Sequence, residues 1–264
     1  MLAPVKPFIR PTTSFLTVGD GRYGTDAHFI ISNGGEAHAS DMSDRLLSIG
    51  SQNGFINSFS AENAEQLNFE DNSFDYVLIK EAFHHFPRPW LALYEAFRVC
   101  RNSVILIEPS DDNSYISKNP FAATRQLASS FVQLSMRILG HRVTSNSYYG
   151  FEPVGNFVYC VNPVELQKFL LGMNYNLIAT IGLNDVYEEG SEFVQFDSLA
   201  NKDRELISRL QGKIKLKNIS CRLGLSGHNI LIASLFKEKP TEDLSQRLKT
   251  AGWEIKELPL NPYI

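Results

Sequence analysis

The apolar run Phe15-Leu16-Thr17-Val18 passes directly into Gly19-Asp20-Gly21-Arg22-Tyr23-Gly24, and no other feature limits the fold of this chain as tightly. A buried strand that turns into a helix within a few residues needs positions without a Cβ. The helix that follows presents unpaired N–H groups to a polar or anionic ligand. Strand, glycine turn and helix together read as a nucleotide cradle. Asp41 lies about 20 residues further on, where a ribose hydroxyl needs an acceptor. A GxGxxG turn alone leaves the identity of the nucleotide open.

The same rhythm runs through the first half of the chain. Phe15–Val18, Glu36–Ser40, Phe55–Phe59, Phe74–Ile79 and Ser103–Ile107 read as strands. Gly24–Asn33, Ser43–Gln52 and Trp90–Arg101 read as helices, the second capped by Ser43 and the third opened by Pro89. Cys100 falls on the apolar face of that third helix and reads as core. Apolar strands separated by helices predict a parallel sheet covered on both faces, with ligands at the carboxyl ends of its strands. Gly19–Gly24, Asp41, Lys80–His85 and Glu108 all fall at such ends.

After Glu108 the pattern changes. Pro120–Leu139 reads as a helix, followed by the aromatics Tyr148, Tyr149, Phe151, Phe157 and Tyr159. A stretch of this length exceeds an ordinary connection and reads as an insertion over the strand ends. Pro163–Gly172 resumes as a helix, Leu177–Ile181 and Asn229–Phe236 as strands, and Thr241–Ala251 as a helix capped by Thr241. Asp185–Gly227 reads as a mixed, mobile stretch with Lys213, Lys215 and Lys217 in alternation. The expected architecture is α/β: a Rossmann-like, doubly wound, mostly parallel seven-stranded sheet with a helical and aromatic insertion after the fifth strand. One domain over 1–264 is expected. It comprises a cofactor-binding half (14–109), an inserted lid or substrate region (110–162), and the rest of the sheet with a C-terminal helix (163–264).

The net charge of −4 argues against a nucleic-acid partner. Three widely spaced cysteines suggest neither a disulfide framework nor a metal site. Met1–Thr13 lacks the apolar stretch of a signal peptide, and no segment reaches the ~18 apolar residues of a membrane span. A reducing, cytoplasmic setting is expected.

Two ligands compete for the glycine turn, a nicotinamide dinucleotide and S-adenosylmethionine. A dehydrogenase of the short-chain type needs Tyr-x-x-x-Lys on a helix. Tyr76 and Lys80 have that spacing but fall on a strand, roughly 13 Å apart at ~3.3 Å per residue.

From Phe15 to Pro109 the chain resembles class I S-adenosylmethionine-dependent methyltransferases of the small-molecule type. The resemblance rests on Leu16-Thr17-Val18-Gly19-Asp20-Gly21, Ser40-Asp41-Met42-Ser43, Asn63-Ala64-Glu65-Gln66-Leu67-Asn68-Phe69 with Asp71-Asn72-Ser73-Phe74-Asp75, and Phe83-His84-His85-Phe86-Pro87-Arg88-Pro89. It implies that Val18, Gly19, Asp20 and Gly21 form the turn against the methionine part of S-adenosylmethionine. It implies ribose hydroxyls on Asp41, adenine on Met42, Asn63 and Ala64, and Glu81 near the methionine moiety. S-adenosylhomocysteine would be the product. The family's usual acid is absent at Thr17 and appears at Asp20, and its usual glycine at Tyr23 appears one place later, at Gly24. Asn63 stands for the more usual aspartate.

His84, His85 and Glu108 are the candidate catalytic groups. A histidine at a strand end can take a hydroxyl proton during transfer, and no second ligand with metal-like spacing accompanies them. The expected reaction is methyl transfer to a small or sugar-like acceptor at oxygen. An NAD(P)-dependent oxidoreductase, or a non-catalytic binding protein that keeps the fold, are the alternatives.

Overall fold

The computed structural model describes residues 1–111, 150–151, 155, 157–188, 191, 201–223 and 226–263. The expected helix Pro120–Leu139, Tyr148 and Tyr149 lie outside them. The chain divides into two compact units, one of residues 1–110, 149–181 and 231–264, the other of 111–148 and 182–230.

The strands are β1 (Ser14–Val18), β2 (Glu36–Asp41), β3 (Phe59–Ala61), β4 (Phe74–Lys80), β5 (Cys100–Pro109), β6 (Leu177–Leu183), β7 (Ile230–Phe236) and β8 (Glu254–Glu257). The helices among the described residues are α1 (Thr25–Ser32), α2 (Arg45–Gln52), α3 (Pro89–Val99), α4 (Pro163–Gly172), α5 (Asn201–Arg222) and α6 (Glu242–Thr250). All strands join one sheet in the order β3-β2-β1-β4-β5-β7-β6-β8. The pairs β1–β2, β1–β4, β2–β3 and β4–β5 are parallel. From β1 the chain steps outward to β2 and β3, then returns to the other side of β1 as β4. The crevice beyond the carboxyl ends of β1 and β4 is the switch point where such sheets bind ligands.

Period-two alternation divides the core. Leu16, Val18, Val77, Ile79, Val104 and Leu106 bury their side chains in one cluster with Leu93 and Phe97 of α3 and Leu166 and Leu170 of α4. Ala27 of α1, Ala39, Leu47 of α2 and Ile56 form a separate cluster. Phe8 stands edge-on to both Tyr76 and Trp253, 5.4 and 5.5 Å between ring centroids, which ties the N-terminal segment to β4 and to the residues after α6.

Four expectations need correction. The sheet has eight strands, because Glu254–Glu257 adds a short antiparallel edge beside β6. Its charged residues suit an edge that must not recruit another chain. The third strand starts at Phe59, since Phe55 is exposed. Helix α3 stops at Val99 and Cys100 opens β5, its thiol pushed up to about 12 by burial. The stretch expected to be irregular carries α5, 22 residues long, in the second unit. Charge on every face hides the helical period there, and Arg209 and Lys213 both pair with Glu188.

Candidate functional site

The carboxyl ends of β1, β2, β4 and β5 surround a cleft of about 460 Å³, within the range of small-molecule sites. Gly19, Gly21, Asp41, Glu81, His84 and His85 line it, as their positions at strand ends require. Arg22 and Lys80, which fall within the stretches expected at the strand ends but were given no role, line it as well, as do Thr25, Asp26 and Pro109, which were not foreseen. The available signal was Lys80, a charged residue ending the apolar run of β4.

The glycines serve different ends. Gly19 has φ +79°, and a Cβ there would stand 2.3 Å from the Ala82 Cβ. Its N–H and that of Asp20 both donate to the Ser40 carbonyl, locking the turn to β2. Gly21 makes room for a carboxylate, since a Cβ there would lie 2.8 Å from Asp41 Oδ2. Tyr23 at φ 61° and Gly24 at φ +72° both take the left-handed conformation. The missing glycine at Tyr23 is thus met by a tyrosine held in a glycine-like conformation, which costs on the order of 1 kcal/mol.

Asp41 Oδ1 accepts the Ser43 N–H at 3.2 Å. The carboxylate, lining the cleft next to Gly21, keeps acceptor capacity of the kind a ribose diol requires. The Asp41 carbonyl accepts from Glu62 N–H, which brings the Asn63–Phe69 loop alongside. Met42 is 71% exposed, Asn63 accepts the Glu65 N–H, and Ala64 is buried. None of these three lines the cleft, nor does Val18, buried in β1.

Asp20 does not face the cleft. Its carboxylate is buried and accepts from the Thr17 hydroxyl at 3.0 Å and from the Asp26 and Ala27 N–H groups at 3.1 and 2.9 Å. Thr17 and Asp20 therefore form one internal unit that caps α1. Burial, then the nearby Asp26 charge, pushes the Asp20 carboxyl up to about 6 from its ordinary 3.8. An acid whose folded pKa lies above its unfolded value stabilises fully below the unfolded value and loses that share as pH rises through the folded one. Asp20 is therefore expected to withdraw about 3 kcal/mol of stability as pH rises from about 4 to above 6. Urea unfolding of the wild type and of Asp20→Asn at pH 4 and pH 7 measures it. Equal pH dependence in the two proteins would remove the assignment.

On the opposite wall, Glu81 takes φ 49° and its N–H donates to the Ile107 carbonyl. This bend turns residues 82–85 across the end of β5, onto Glu108. Glu108 is fully buried. Its Oε1 accepts from the Ala82 and Phe83 N–H groups at 3.0 and 2.9 Å, and its Oε2 lies 2.5 Å from His84 Nδ1. His84 is half-buried, and its ring centroid lies 4.0 Å from that of the more exposed His85. The His84 carbonyl accepts the Tyr159 N–H at 3.3 Å, so the chain after residue 157 crosses close to the pair.

The structure thus brings His84 and Glu108 together, with Glu108 behind the cleft and His84 in its wall. Tyr76 is buried within β4 and Lys80 is held by Asp26 at 3.3 Å, so no tyrosine–lysine pair of the dehydrogenase type exists there. Among the described residues no group of three or more His, Cys, Asp or Glu side chains is placed to hold a metal ion, and no helix is long and apolar enough to cross a membrane.

The comparisons agree with the fold. Residues 16–107 match the family model of a methyltransferase domain. No curated protein matches the sequence. Among solved structures the chain is similar to the YcgJ protein of Bacillus subtilis, with 17% identity over 90% of this chain and 97% of that one, TM-score 0.52. It is similar to a SAM-dependent methyltransferase of Archaeoglobus fulgidus, with 15% identity over 89% and 91%, TM-score 0.52. A third is phosphoethanolamine N-methyltransferase 2 of Haemonchus contortus, in complex with phosphomonomethylethanolamine and S-adenosylhomocysteine, with 16% identity over 90% of this chain and 52% of that one, TM-score 0.50. At such identities these likenesses establish the fold, and the matched segment spans β1 to β5, the part that builds the cleft. Residues 16–107 thus carry the match to a methyltransferase domain, and the chain has the fold of these solved structures.

Proposed function

We propose that the protein methylates a small, sugar-like acceptor at a hydroxyl oxygen, with His84 as general base. The observation that carries this reading is His84 in the wall of the cleft, paired with the buried Glu108 behind it. S-adenosylmethionine, when bound, supplies a methyl group already activated on a sulfonium. The side chains have then to hold the donor, place the acceptor in line and manage one proton.

Asp41 would hold the ribose hydroxyls, and the Gly19–Gly21 turn would let the backbone approach the donor. Glu108 Oε2 sets His84 Nδ1 as the protonated ring nitrogen, which leaves Nε2 as the acceptor, the tautomer a general base requires. Glu108 spends its other oxygen on two backbone N–H groups, so it positions His84 rather than taking the substrate proton itself. His85 flanks the base. A hydroxyl is a weak nucleophile until its proton is withdrawn, and a base in the cleft wall answers that need, which favours oxygen as the acceptor atom. Thr25 and Glu81 add polar and charged groups to the cleft lining, which suits a hydroxyl-rich acceptor.

Release of S-adenosylhomocysteine, followed over a panel of monosaccharides, polyols and phenols beside a matched panel of primary and secondary amines, tests the reading. Turnover confined to hydroxyl acceptors is expected. Turnover confined to amines would overturn it.

A further inference from the structure

We propose that the Lys80–Asp26 ion pair is the receptor for the amino-acid end of the methyl donor, taking over the place that Thr17 and Asp20 leave vacant. The inference rests on the cofactor reading above and assigns two residues within it.

The methionyl end of S-adenosylmethionine is a zwitterion, one ammonium and one carboxylate on the same carbon. A site that recognises it needs one anion and one cation a few ångströms apart, beside the glycine turn. The residues on which sequence alone would place this task are otherwise engaged. Thr17 carries no charge, and its hydroxyl donates to Asp20. The Asp20 carboxylate accepts that bond and two backbone N–H groups, and it does not line the cleft.

Asp26 and Lys80 meet the requirement instead. Both line the same cleft as Gly19 and Gly21. Lys80 Nζ stands 3.3 Å from Asp26 Oδ1, longer than a tight charge-assisted hydrogen bond. The Asp26 side chain is 8% exposed and the Lys80 side chain 21%. Removing an acid of this burial from water is costly, and burial raises the Asp26 carboxyl above its ordinary range with Lys80 only partly offsetting it. A zwitterionic ligand would supply each member with a second opposite charge, the ammonium to Asp26 and the carboxylate to Lys80. The topology accounts for the placement. Asp26 sits in the first turn of α1, directly after the glycine turn, and Lys80 ends β4, the strand paired with β1.

The test compares two ligands on one protein. S-adenosylhomocysteine carries the amino-acid end, and 5′-methylthioadenosine has the same adenosine and thioether without it. Calorimetric titration of the wild type, Lys80→Gln, Lys80→Arg and Asp26→Asn is read for both, with thermal melting as the check on folding. The two neutralising variants are expected to bind S-adenosylhomocysteine on the order of 10-fold or more weakly and to bind 5′-methylthioadenosine within about twofold of wild type. Lys80→Arg, which keeps the charge, is expected to stay closer to wild type for both ligands. Equal weakening for the two ligands would overturn the proposal, because the pair would then only support the fold. No weakening for either would overturn it as well. A wild type that binds neither ligand would instead sink the cofactor reading itself.

Discussion

A His84→Gln protein is expected to keep its affinity for S-adenosylhomocysteine and lose two to four orders of magnitude in kcat, the usual contribution of a positioned general base. Glutamine preserves the approximate length and polarity of the side chain and can still meet Glu108 through its amide. It offers no nitrogen that takes up a proton near neutrality. The measurement is kcat and KM on the best hydroxyl acceptor, with the donor affinity read separately by calorimetry. A variant with wild-type turnover would show that alignment of acceptor, methyl and sulfur suffices and that the pair with Glu108 is architectural.

The second large effect concerns the fold. Gly19→Ala places a Cβ at φ +79° and 2.3 Å from the Ala82 Cβ. The left-handed conformation costs about 1–2 kcal/mol and overpacking adds about 1–3 kcal/mol. Ala82 has little freedom to retreat, because its N–H is held by the buried Glu108. A loss of about 3–4 kcal/mol is expected, a large fraction of the stability of a typical domain. Gly54 is the internal control. It has φ +75° with nothing within 4 Å of its would-be Cβ, so Gly54→Ala should lose only the conformational share, about 1 kcal/mol. Urea denaturation of both variants measures the difference. Equal losses would mean that the Gly19–Ala82 contact relaxes without cost.

The contact between Gly19 and Ala82 also links the two halves of the site. It holds the end of β1 against the start of the turn that carries His84. The same Glu108 oxygen that fixes Ala82 accepts the Phe83 N–H, and its partner oxygen meets the His84 ring. A change at Gly19 therefore acts on the base as well as on stability. A residual activity that falls further than the folded fraction would express that link.

Where local chemistry decides, the sequence is a sufficient guide. Helix α4 spans Pro163–Gly172, the bounds expected from the sequence, with the Asn162 side chain accepting the Val164 and Glu165 N–H groups. Helix α6 begins after Thr241, whose hydroxyl accepts the Leu244 N–H. The glycine turn, the acid at the end of β2 and the apolar strands β1, β4 and β5 are local patterns of the same kind. Helix α5 and strand β8 escaped because charged residues on both faces leave no periodic signal, and pairing partners far along the chain decide their state.

The sequence by itself determined that a strand, a glycine turn and Asp41 would meet at the carboxyl edge of a parallel sheet. It also placed two histidines and Glu108 at neighbouring strand ends. Only the tertiary structure decided that Glu108 meets His84 and which acid faces the cleft. The β4–β5 register, with Lys80 opposite Ile107, sets Glu108 under the 82–84 backbone and against His84. The unsatisfied N–H groups at the start of α1 draw the Asp20 carboxylate inward, which leaves Asp26 to face the cleft beside Lys80. Both choices depend on groups that meet across strands or around a turn, and the spacing of residue types along the chain does not encode which way a carboxylate points.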